Sequence, residues 1–68
     1  MNLSKHLTFK MFVINSLVQD YGYSIHRASE IFSSSYLPKL LLDDPKYVYH
    51  YDSDYWAKYL HEKYGGVI

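Results

Sequence analysis

The sequence predicts an all-α fold, a small bundle of three to four helices with a short extended tyrosine-rich connector before the last one. Three observations predict it. Apolar residues recur at three- and four-residue steps along most of the chain, cap-forming residues stand where those runs begin, and glycine or proline stands where they stop. The 68 residues make one domain at most. A chain of this size buries only about 60% of its unfolded surface, so the core is thin and help from a partner or a second copy is expected.

Leu3, Leu7, Met11, Ile14, Val18 and Tyr21 fall on one stripe at helical spacing, and Gly22 follows as a residue able to close a helix in the left-handed conformation. The first helix is therefore expected over 4–21. Ser24 is placed to cap a second helix over 25–33, with Ile25, Ala28, Ile31 and Phe32 facing inward and the serine run ending it. A third helix over 36–42 is capped by Ser35, tolerates Pro38 in its first turn and presents Leu37, Leu40 and Leu41. Asp43-Asp44-Pro45-Lys46 reads as a turn.

From Lys46 the period changes, since Tyr47, Tyr49 and Tyr51 share one side of an extended segment while Val48 and His50 share the other. A lone strand has no sheet to join here. An irregular extended connector or a short helical turn is expected, unless a strand pairs across a dimer. The last helix is expected over 53–64, capped by Asp52 or Ser53, with an Asp54–Lys58 pair and an inward stripe of Trp56, Leu60 and Tyr64. Gly65-Gly66 stops it and Val67-Ile68 forms a tail.

Composition narrows the function classes. With no cysteine the chain has neither a disulfide nor a thiolate metal site, which suits a reducing cytoplasm. The uncharged stretch between Lys10 and Asp20 is far shorter than the ~18 residues a membrane span needs, so a soluble, cytoplasmic protein is expected. Seven basic and seven acidic side chains cancel, and Arg27 is the single arginine. That balance lacks the phosphate-neutralising footprint of a nucleic-acid binder and favours association with other proteins.

Four histidines, His6, His26, His50 and His61, show no i,i+4 pair and no tight spacing with carboxylates, so no metal or other cofactor is expected. Asp43-Asp44 and Asp52-x-Asp54 stand where turns and caps use aspartate, and no G-x-S-x-G elbow surrounds any serine. A non-enzymatic role follows. Nine tyrosines and one tryptophan, six of these ten rings lying between Tyr47 and Tyr59, instead point to a surface that grips a protein. Trp56, Tyr21 and Tyr64 fit helical core positions; Tyr47, Tyr49, Tyr51 and Tyr55 are the expected partner-binding rings, with packing beneath the last helix as the competing reading.

Phe9 falls opposite the Leu7–Met11–Ile14–Val18 stripe and Phe12 lies beside it. Either the first helix needs a wide apolar face at the centre of a bundle, or both phenylalanines extend the partner surface or a homodimer contact. Residues 23–39 also have a degenerate helix-turn-helix pattern, in which Arg27 and Lys39 would meet DNA, but the second element carries no Asn, Gln or Arg in its first turn for base edges. DNA binding is the alternative class.

The order FKMFVINSLVQDYGYS, R-A-S-E-I-F, Y-L-P-K-L-L-L-D-D-P and Y-H-Y-D-S-D-Y-W-A-K-Y-L, from Phe9 to Tyr64, resembles a group of very short bacterial helical proteins. These have no known function, are often encoded beside ADP-ribosyltransferase-like or other toxin genes, and are regarded as antitoxin-like. His50 resembles a histidine that such proteins place just before the last helix. The resemblance implies a non-enzymatic neutraliser or accessory factor whose partner is a protein such as a toxin enzyme.

Overall fold

The computed structural model describes residues 3–65, which form five α-helices and a closing π-helical turn, with no strand among them. They are α1 (Leu3–Tyr21), α2 (Ile25–Ser34), α3 (Leu37–Asp43), α4 (Pro45–His50) and α5 (Ser53–Leu60), followed by the π turn His61–Gly65. The expected place of the Leu3 side chain, the stop at Gly66 and the Val67-Ile68 tail fall outside the described residues and side chains.

Each boundary has a local cause. Gly22 closes α1 at φ +78°, a conformation in which a side chain would be strained, while its amide still reaches the Val18 carbonyl at 3.2 Å. Ser24 caps α2 by accepting the Arg27 amide at 3.1 Å. Ser35 accepts the Leu37 amide at 3.2 Å before α3, whose first turn holds Pro38. Asp52, rather than Ser53, caps α5 through the Tyr55 amide at 2.9 Å.

The all-helical expectation holds, but the helix count and the extended connector need correction. Residues 45–50 are helical: Asp44 accepts the Tyr47 amide through its side chain, Pro45 takes the first helical position, and the Val48 amide reaches the Asp44 carbonyl at 3.3 Å. Asp-Pro thus starts a helix here, and the turn expected over 43–46 is reduced to Asp44 alone between α3 and α4, because proline lacks the amide that a first-turn position would leave unpaired.

The burial of α1 also differs from the expected stripe. This helix packs against both α2 and α5, so its inner face is a broad arc formed by Phe9, Val13, Ser16 and Leu17, with Ile14 at the edge. Phe9 is only 8% exposed, whereas Leu7 and Met11, placed inward by spacing, are 56% and 62% exposed. Periodicity identified a helix with more apolar surface than one interface needs, and the neighbours decided which part is covered.

Ala28, Ile31 and Phe32 of α2, Leu37 and Leu41 of α3, Val48 of α4, and Trp56, Ala57 and Leu60 of α5 complete the core. Each fully buried leucine or isoleucine there contributes about 1.5–3 kcal/mol relative to exposure. Ile25, expected inward, is exposed, and Tyr21 and Tyr64 are half-buried against the core rather than within it. The expected Asp54–Lys58 pair is replaced by a bond across the bundle in which Ser16 Oγ donates to Asp54 Oδ1 at 2.9 Å.

Candidate partner-binding surface

The helical form of residues 45–50 sorts the expected tyrosines onto two sides of the molecule. In a helix, positions four apart are neighbours and positions two apart are not. Tyr47 and Tyr51 therefore meet, edge to face at 5.8 Å between ring centroids, while Tyr49 turns away.

The chain leaves α4 in an extended conformation at Tyr51 and re-enters a helix after Asp52, which brings Tyr55 onto Tyr51. Their rings stack at 4.2 Å with 17° between planes. Tyr47, Tyr51 and Tyr55 thus form a continuous ladder. Beneath it lies Trp56, 4% exposed, which meets Tyr47, Tyr51 and Tyr55 edge-on at 6.0, 6.0 and 5.1 Å and Tyr59 at 5.7 Å. Tyr47 and Tyr55 remain 46% and 43% exposed, so the ladder is held from below and open above.

Rings fixed in this way have less freedom to lose when a partner covers them. The Tyr55 hydroxyl has its pKa raised, first by withdrawal from water among its neighbours and then by the nearby Tyr51, Tyr47 and Tyr59. It stays neutral and able to donate a hydrogen bond across the ordinary pH range. His50, exposed, stands edge-on to Tyr51 at 4.8 Å, at the rim of the ladder.

Tyr49 occupies a separate setting against the N-terminal half of α1. Its hydroxyl and His6 Nδ1 are 2.7 Å apart, its ring meets Phe9 edge-on at 5.2 Å, and Lys5 Nζ lies 4.6 Å from its centroid. Burial raises its pKa. Phe12, 57% exposed, shares a shallow hollow with Tyr49, Lys5 and Thr8, apart from the ladder. Phe9 forms the floor of that hollow and belongs to the core, which corrects its place among the partner-binding residues.

Arg27 and Lys39 both lie on exposed helix surface and are engaged locally. Arg27 pairs with Glu30 at 2.9 Å on α2, and Lys39 pairs with Asp43 at 3.3 Å on α3. Among the described residues, no three His, Cys, Asp or Glu side chains gather to hold a metal ion, and no helix is long and apolar enough to cross a membrane.

One cluster escaped sequence reasoning. Tyr23 Oη and His61 Nδ1 are 2.7 Å apart, and Tyr21 stacks on the His61 ring at 4.3 Å, tying the end of α1 to the π turn. These partners are 38 residues apart for the hydrogen bond, so no local spacing could announce them. The chain matches no protein-family model, and neither the curated proteins nor the solved structures give a match to it.

Proposed function

We propose that this chain is a non-enzymatic protein-binding module that grips a partner protein through the Tyr47–Tyr51–Tyr55 ladder. The supporting observation is the stacking of Tyr51 on Tyr55 over a buried Trp56, which presents amphipathic rings in a fixed arrangement. Tyrosine and tryptophan are the residue types that dominate binding energy when a partner excludes water from them.

The resemblance to antitoxin-like proteins gives the finer reading: a cytoplasmic neutraliser whose partner is a toxin enzyme, acting by covering the partner's working surface. A second copy of the chain is the other partner the ladder suits. The test is co-expression with the product of the adjacent gene, using the parent chain and a Tyr51→Ala/Tyr55→Ala variant whose helicity is verified by circular dichroism. Co-purification with the parent and its loss in the variant is the expected result. Capture that survives the double substitution removes the ladder from the binding surface, and a dimer mass for the parent alone reassigns the ladder to self-association.

A further inference from the structure

A second surface, sharing no residue with the ladder, carries a distinct binding chemistry. α1 and α3 form the walls of an open groove of about 610 Å³, floored by Phe32. Leu7 contributes one wall; Pro38, Leu41 and Leu42 contribute the other, and Leu42 is 72% exposed. Met11 lies one turn beyond Leu7 on the same side of α1 and is also exposed, so the apolar strip continues about 6 Å past Leu7 along the helix. Lys10 lines the groove with its Nζ 5.8 Å from the Phe32 ring.

The ionisable side chains that line this groove are all basic, while the neighbouring Asp43 is paired with Lys39 at 3.3 Å. His6 lines both the groove and an adjoining hollow formed with Lys5, Lys46, Tyr49 and His50. Three of the seven Lys and Arg residues of a neutral chain are therefore gathered here, and no carboxylate lines either depression. Among the described residues, Lys5, Lys10 and Lys46 make no ion pair.

We infer that the groove between α1 and α3 receives an amphipathic helix of a partner protein, with leucine-type anchors on its buried side and Asp or Glu on its flanks. Two helices with an apolar furrow between them accept a third helix in the manner by which bundles and helix-in-groove complexes are built. The lysines select an acidic occupant and repel a basic one. A second copy docking by the same face would set one lysine-bearing rim against another, with no lining carboxylate to answer it, so two-fold self-association is disfavoured here. The strip formed by Leu7 and Met11 runs past the groove, which suits an elongated helix better than a compact small molecule.

The experiment is an amide chemical-shift titration of the full chain with a synthetic helical peptide carrying leucines at i, i+3, i+4 and i+7 and glutamates on the flanks. Its counterpart has every glutamate replaced by lysine, and laurate is a third probe. The expected result is saturable change at Leu7, Lys10, Phe32 and Leu42, with the glutamate peptide binding about tenfold tighter than the lysine peptide and weakening as salt rises. Leu42→Glu, at an exposed position, should abolish it, Lys10→Glu should weaken it, and the Tyr51→Ala/Tyr55→Ala variant should bind as the parent does. Equal binding of both peptides, no saturation by the glutamate peptide at millimolar concentration, tighter binding of laurate at the same residues, or a dimer dissolved by Leu42→Glu each overturns the inference. Loss of binding in the double tyrosine variant, with its fold intact, also overturns it by joining the two surfaces.

Discussion

Trp56 Nε1 donates a hydrogen bond to the carbonyl oxygen of Val48 at 2.8 Å, and that bond fixes α5 against the short helix α4. A six-residue helix is marginal alone, since nucleating one turn fixes several dihedral angles for a single hydrogen bond. The indole supplies what α4 lacks. It gives the Val48 carbonyl, which also accepts the Tyr51 amide at 3.3 Å, a second donor, and it sets the base on which Tyr47, Tyr51 and Tyr55 rest.

Replacing this indole is therefore expected to affect stability and the ladder together. Trp56→Phe keeps an aromatic ring but removes the donor and leaves a small void, with an expected cost of about 1–3 kcal/mol. Trp56→Ala should cost about 3–5 kcal/mol, enough to unfold a domain with so thin a core. Urea unfolding followed by circular dichroism reads both. A Trp56→Phe midpoint equal to the parent's would show that the bond to Val48 contributes nothing.

The Ser16–Asp54 bond links α1 to the first turn of α5, and its two ends are unequal: Ser16 is buried while Asp54 is exposed. Ser16→Ala leaves the carboxylate to water, and its expected cost is about 1 kcal/mol. Asp54→Ala strands a buried hydroxyl and removes a negative charge from a helix N-terminus, so its cost should reach about 2 kcal/mol. The double variant should be no less stable than Asp54→Ala alone. Strictly additive losses in a double-mutant cycle would show that the two groups do not interact.

The two phenylalanines of α1 should separate cleanly under the same assay. Phe9→Ala opens a cavity in the core and is expected to cost about 3–5 kcal/mol, whereas Phe12→Ala removes an exposed ring and should stay within about 0.5 kcal/mol. Equal costs would contradict the orientation of α1.

That orientation marks where sequence reasoning reached its limit. Caps and stops were legible because they are local: Ser24, Asp52 and Gly22 act within four residues of themselves. The core assignments of Ala28, Ile31, Phe32, Trp56 and Leu60 were legible for a related reason, each helix having one strong apolar side. α1 has apolar residues on most of its circumference, so spacing alone could not show that its neighbours bury Phe9, Val13 and Leu17 while leaving Leu7 and Met11 outside. The tyrosine alternation misled in the same way. A period of two over three residues also places Tyr47 and Tyr51 four apart, and the Asp44-Pro45 start makes the helical spacing the one realised. Tyr49 is thereby separated from Tyr47, Tyr51 and Tyr55, with which it was expected to share one partner-binding patch.

The different settings of the tyrosines predict an alkaline signature. Burial raises the pKa of Tyr49, and withdrawal from water, followed by the proximity of Tyr51, Tyr47 and Tyr59, raises that of Tyr55. In the unfolded chain both should titrate at about 10. A folded pKa above the unfolded one means that the folded state holds its proton more tightly, so the stabilising contribution is complete below the unfolded value and is lost as pH rises through the folded one. The contribution of these two tyrosines to stability should hold up to about pH 10 and decline above it, and Tyr49→Phe should make that decline shallower. Tyrosinate absorbance should show Tyr49 and Tyr55 ionising above the free value, with that fraction reduced in Tyr49→Phe and again in Tyr55→Phe. A single population titrating near the free value in the folded protein would contradict both the enclosure of Tyr49 against His6 and Phe9 and the mutual crowding of the ladder.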